Sequence, residues 1–173
     1  DTWTPPGWHA MACQDPDEEQ DLAKPKIYFD LEAGNVEGKD FFRLPFPNDL
    51  RSSSYGLNLE GFPVPPEELT GEFGPIVDRW IDAVASNEGF ALNGPTLFRA
   101  SEPFVFNFDA EHPPMYLVNI DETSVDRGKR YPIHYYGQSG TTSANNYICQ
   151  NWFGAQTYEG FPLAASTTYA LLV

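Results

Sequence analysis

The sequence predicts a mainly β chain: an antiparallel β-sandwich preceded by an irregular arm and one amphipathic helix. Three observations predict it. From Thr96 onward, short runs rich in aromatic and β-branched residues alternate with Asp, Gly and Pro turns, the pattern of an antiparallel sandwich. Only residues 75–86 carry a convincing helical period. Residues 1–26 carry neither period. With 173 residues, 41% of them hydrophobic, the chain can form one or two small domains with real cores. The 15% aromatic content argues against wholesale disorder.

The arm, 1–26, holds Trp3 and Trp8 around Pro5-Pro6-Gly7, then the acidic run Asp15, Asp17, Glu18, Glu19 and Asp21. Proline fixes φ and lacks a donor, so this cannot be helix or central strand. Its Trp side chains are expected to lie on the body or on a partner. Residues 27–95 read as a loop-rich cover. Lys26–Leu31 has strand character, and 40–66 is a long loop punctuated by five prolines and two glycines. Within it, Pro45 and Pro47 hold an extended path while Phe46 is buried, and Asn48-Asp49 forms a turn or helix start. The helix follows. Pro75 suits its first turn, Ile76, Val77, Trp80, Ile81 and Val84 recur at helical spacing, and Asn87-Glu88-Gly89 stops it.

Residues 96–173 supply the strands: 96–99, 104–108, 115–120, 130–136, 146–153 and 167–173. Pro132 places the fourth at a sheet edge. Alternation puts Tyr131, Ile133 and Tyr135 on one face and His134 and Tyr136 on the other, and one face must be core. The last strand either finishes a sheet or has been cut at Val173; the second reading is favoured.

The formal charge of -15 is uneven, because residues 1–40 hold ten acids against three bases. It excludes nucleic acid and anionic membrane as natural partners. No run approaches the ~18 apolar residues of a membrane span. The first residue is Asp1, so a processed product or fragment is expected. Cys13 and Cys149 are the only cysteines. They read as two free buried thiols or as one disulfide tying arm to body. The disulfide is preferred. In the chain-entropy model, closing such a loop stabilises by roughly 5 kcal/mol, and it implies export.

Several phrases point further: Phe42-Arg43-Leu44-Pro45-Phe46-Pro47-Asn48-Asp49-Leu50-Arg51, Leu57-Asn58-Leu59-Glu60-Gly61-Phe62, Glu88-Gly89-Phe90, and Gly160-Phe161-Pro162-Leu163 before Thr167-Thr168-Tyr169. Over residues 27–173 the chain resembles the N-terminal, Ig-like region of large exported bacterial surface proteins, including the leading domain of bacterial surface lipases. The resemblance implies secretion or cell-surface exposure, an Ig-like sandwich and membership of a longer chain. In those lipases a downstream hydrolase domain does the chemistry, and nothing here matches that domain.

The catalytic signatures are missing, so no enzyme is expected. Gly137-Gln138-Ser139-Gly140 lacks the second glycine of a nucleophile elbow, since Thr141 stands there. His9, His112 and His134 show no metal spacing, and His9, Met11 and Cys13 alternate without completing a soft-metal site. Phosphate-cradling glycine motifs are missing too. Arg127, Lys129 and Arg130 beside Asp121 and Asp126 read as a turn with local ion pairs. Asp15, Asp17, Glu18, Asp121 and Asp126 offer oxygens for calcium, against the simpler reading of a solvated acidic face. Trp3, Trp8, Tyr135, Tyr136 and Trp152 are the candidate binding surface. The expected function is a non-catalytic structural, assembly or adhesion module of an exported bacterial protein. It would contact other protein chains or the remainder of a larger chain. The alternatives are a glycan- or calcium-binding module, or the non-catalytic N-terminal part of a secreted hydrolase.

Overall fold

A computed structural model describes residues 26–31, 42–64, 71–101, 109, 111, 113–138 and 151–173. The predicted arm up to residue 25, the 104–108 strand, both cysteines and the first part of the 146–153 strand lie outside the described residues. The regular structure among the described residues is mostly strand, in antiparallel sheets, with one α-helix.

A two-residue pair, β1 (Ser52–Ser53) with β2 (Gly56–Leu57), forms a hairpin inside the long loop. A three-stranded sheet has the order β3 (Thr96–Arg99), β7 (Trp152–Thr157), β6 (Ile133–Gln138). The second three-stranded sheet has the order β5 (Arg130–Tyr131), β4 (Tyr116–Asn119), β8 (Tyr169–Leu172). β5 and β6 are one run of chain interrupted at Pro132, which cannot donate a ladder hydrogen bond. The run is therefore an edge strand of both sheets, as the proline predicted.

Phe98, Phe153, Ala155 and Ile133 from one sheet and Leu117 and Tyr131 from the other meet in one hydrophobic cluster, with Met115. Phe98 and Phe153 stack at 4.9 Å, and Tyr131 meets Tyr169 edge-on at 5.6 Å. Alternation groups these residues on one face of each strand, and the structure makes that face the core.

The predicted strand at Lys26–Leu31 makes a single bridge, Ile27 with Ala100. The free edge of β3 is shared between two crossing segments, which leaves neither room for a ladder. Tyr28 N–H donates to Arg99 O at 3.0 Å, Arg99 N–H to Phe42 O at 3.1 Å, and Phe46 and Leu97 exchange both backbone bonds at 2.7 and 3.0 Å. The long loop thus covers an edge that would otherwise be open to pairing. Phe46 anchors it, edge-on to Phe62 at 5.0 Å and to Phe90 at 5.5 Å. Asn48 precedes a 3-10 turn, Asp49–Arg51, so the turn reading of Asn48-Asp49 holds. The buried Arg51 guanidinium donates to Glu60 O at 2.6 Å and pins the hairpin base.

The helix, α1, spans Gly74–Ala85 with Pro75 in its first turn. Gly56 at φ 128° lets its C-terminus dock on the hairpin, because a Cβ there would stand 3.0 Å from Asn87 O and 3.2 Å from Ala85 O.

Candidate functional site

The fifth strand was expected over 146–153, yet β7 continues to Thr157. Gly154-Ala155 has low strand propensity, and the cross-strand neighbours override it. Gly154 sits opposite Tyr136 on β6 and Leu97 on β3. A Cβ on Gly154 would stand 3.0 Å from Tyr136 Cζ, 3.2 Å from Tyr136 Cε2 and 3.2 Å from Leu97 Cδ2. The missing side chain is what lets the Tyr136 ring lie across the outer face of β7.

Four aromatic rings follow one another from there. Trp152 meets Tyr136 at 6.1 Å, nearly perpendicular at 87°. Tyr136 meets His134 at 6.4 Å, and His134 meets Tyr158 at 5.0 Å and 82°. Tyr136 and Tyr158 are each 41% exposed, and Trp152 and His134 are half-buried. Gln156 lies directly opposite His134, and its side-chain amide donates to Asn93 O at 2.6 Å. Arg99 stands opposite Trp152 on the far side, but it is buried under the cover, its guanidinium 5.5 Å from the Tyr28 ring. Among the described residues, the exposed groups placed on this face are aromatic rings and the Gln156 amide.

The candidate binding residues divide. Tyr136 and Trp152 come together in the row. Tyr135 does not belong with them: strand alternation turns it inward, half-buried against the core cluster. Trp3 and Trp8 lie outside the described residues. His134 and Tyr158 complete the row. Period-2 alternation already puts His134 beside Tyr136, whereas Tyr158 is joined to them only by the register of β6 on β7.

The acids of the 119–128 turn are held in a local hydrogen-bond network. Asn119, 1% exposed, donates through Nδ2 to Ser124 Oγ at 2.8 Å and accepts from Asp121 N–H at 3.0 Å. Asp121 Oδ1 accepts from Thr123 N–H at 2.8 Å and Thr123 Oγ1 at 2.7 Å, and its Oδ2 accepts from Thr168 N–H at 3.1 Å. Bonds from Thr123 side chain and backbone, then Thr168, hold its carboxyl below the ordinary carboxylate pKa. Asp126 pairs with Lys129 at 3.2 Å and raises the lysine's pKa. Arg127 stands 3.9 Å from Glu122, and the Arg130 guanidinium lies 4.5 Å from the Tyr116 ring. The basic cluster is thus a turn with local pairs, as its spacing suggested. Among the described residues, no three His, Cys, Asp or Glu side chains are grouped to hold a metal. Asp15, Asp17 and Glu18 lie outside them. No described helix is long and apolar enough to cross a membrane.

No protein-family model matches the chain, and no curated protein or solved structure matches it either.

Proposed function

We propose that this chain is a non-catalytic recognition module, serving adhesion or assembly, of an exported bacterial protein. In this reading the two sheets are the layers of an Ig-like sandwich. Two features support that: the cluster shared by both sheets and the strand that changes sheets at Pro132. The observation that carries the function is the aromatic row Trp152–Tyr136–His134–Tyr158 on the outer face. Rings of this size left facing water are unfavourable unless something covers them, and a contiguous exposed patch marks a contact surface. The disulfide between Cys13 and Cys149 and the secreted location belong to the same proposal. They rest on the cysteine count and on the resemblance to exported surface proteins.

The test is site-specific photo-crosslinking. A benzophenone amino acid replaces Tyr136 in the native protein in its own host, with Tyr55 as control. Tyr55 is 99% exposed at the hairpin tip and belongs to no ring cluster among the described residues. The expected outcome is a covalent macromolecular adduct from position 136 and none from 55. No adduct at 136, or equal adducts at both, removes the recognition reading.

A further inference from the structure

We infer that the outer-face row is a binding strip for a neutral glycan, with the Tyr136 ring as its floor and Trp152 as its wall. The inference rests on the recognition reading above and names the ligand class of that same surface. Three features choose the ligand.

The first is ring geometry. Tyr136 lies over Gly154, where a Cβ would meet two of its ring atoms. The far end of the ring thereby rests on the sheet, and 41% of the residue remains exposed. Trp152 stands at 87° to it. Two rings this close and nearly perpendicular form a corner, part of which is exposed on Tyr136. The C–H face of a pyranose is apolar and flat enough to stack on such a floor, while its rim of hydroxyls stays wet.

The second is charge. The chain carries -15 overall, yet the row carries no carboxylate, and the nearby Arg99 is buried beneath the cover. A polyanionic ligand would be repelled by the molecule as a whole, and a polycation would find no carboxylate in the row to pair with. A neutral polymer meets neither penalty. The phenol, indole and imidazole tips and the Gln156 amide, fixed by its bond to Asn93 O, supply directional hydrogen bonds for hydroxyl groups.

The third is extent. The rings continue through His134 to Tyr158 in steps of 6.1, 6.4 and 5.0 Å. A row of successive rings along a sheet face suits an extended chain of sugars better than a single one.

Affinity electrophoresis of the purified chain tests this, in gels containing hydroxyethylcellulose, xyloglucan, galactomannan or mixed-linkage β-glucan. Carboxymethylcellulose serves as the charged comparison. The expected result is retardation by at least one neutral polysaccharide and less by the anionic one. Truncating a central aromatic anchor typically costs at least about 2 kcal/mol, so Tyr136→Ala and Trp152→Ala should each weaken binding about 30-fold. Gly154→Ala should lower affinity about 10-fold with the melting temperature held, because the added methyl meets the side-chain ends of Tyr136 and Leu97 rather than backbone. Trp80→Ala, an exposed tryptophan on α1, should change nothing. Tyr158→Ala, on an exposed residue, serves if the Trp152 variant does not fold. No retardation by any neutral polysaccharide, or retardation kept by folded row variants, overturns the glycan. If position 136 then still crosslinks to a protein chain, the recognition reading stands with another ligand; if it crosslinks to nothing, both fall.

Discussion

At the scale of single residues, one acidic side chain ties two segments of backbone together. The Asp121 carboxylate accepts three hydrogen bonds from Thr123 and Thr168. It thereby ties the 119–128 turn to the approach of β8. Because folding lowers its pKa, its contribution is complete above the ordinary carboxylate pKa of about 4. That contribution is lost as pH falls through the lower folded value. Asp121→Asn should therefore be less stable than the parent at pH 7, with the difference shrinking below pH ~4 as the parent protonates. Parallel denaturant titrations from pH 7 to pH 2 read this, and a gap that stays constant would count against it. Asn119 is the buried counterpart, 1% exposed and bonded on both amide atoms. Asn119→Ala leaves the Asp121 N–H and Ser124 without those partners, and should cost about 2 kcal/mol in the same measurement. Neither role was legible in the sequence, since Asx hydrogen bonding and cation ligation call for the same residue types in the same loop.

At the scale of elements, periodicity carried well and register did not. The helix at 75–86, the strands at 96–99 and 115–120, and the edge position of Pro132 all follow from local pattern, and the structure has them. What local pattern misses is pairing. The extension of β7 through Gly154-Ala155 depends on Tyr136 and Leu97, which are remote in sequence. The Lys26–Leu31 segment yields most of its ladder to Phe42 and Phe46 for the same reason. The helix shows a finer limit. Its five apolar residues share one period, but the structure divides them. Val77 and Ile81 are half-buried, whereas Ile76, Trp80 and Val84 are 42%, 68% and 38% exposed. Trp80→Gln should shift unfolding free energy by less than about 0.5 kcal/mol. Ile81→Gln should cost about 1–2 kcal/mol, because it removes half-buried apolar area. Equal effects of the two in chemical denaturation would contradict this division. Phe46 makes a comparable case for the cover. It bridges Leu97 and contacts two rings, so Phe46→Ala should destabilise by about 2 kcal/mol.

At the scale of the whole molecule, the question is whether two sheets make one cooperative body. No backbone ladder joins them among the described residues; each has its own strand order. Side chains do the joining. Leu117 and Tyr131 from one sheet share a cluster with Phe98, Ile133, Phe153 and Ala155 from the other, and the chain crosses between sheets at Pro132. A cavity opened on one side of a shared core removes contacts from the other side as well, because dense packing leaves its neighbours unable to close the gap fully. Leu117, 9% exposed on β4, is the probe. Leu117→Ala should lower global stability by about 3 kcal/mol. Native-state hydrogen exchange should then show the slowest amides of β6 and β7 losing the same free energy as those of β4 and β8. If the sheets were separate units, β4 and β8 alone would lose protection, and the Phe98–Phe153 stack would keep β3 and β7 unchanged. Equal loss across both sheets makes the core the single thing that opens, and the outer aromatic row then has a rigid floor to stand on.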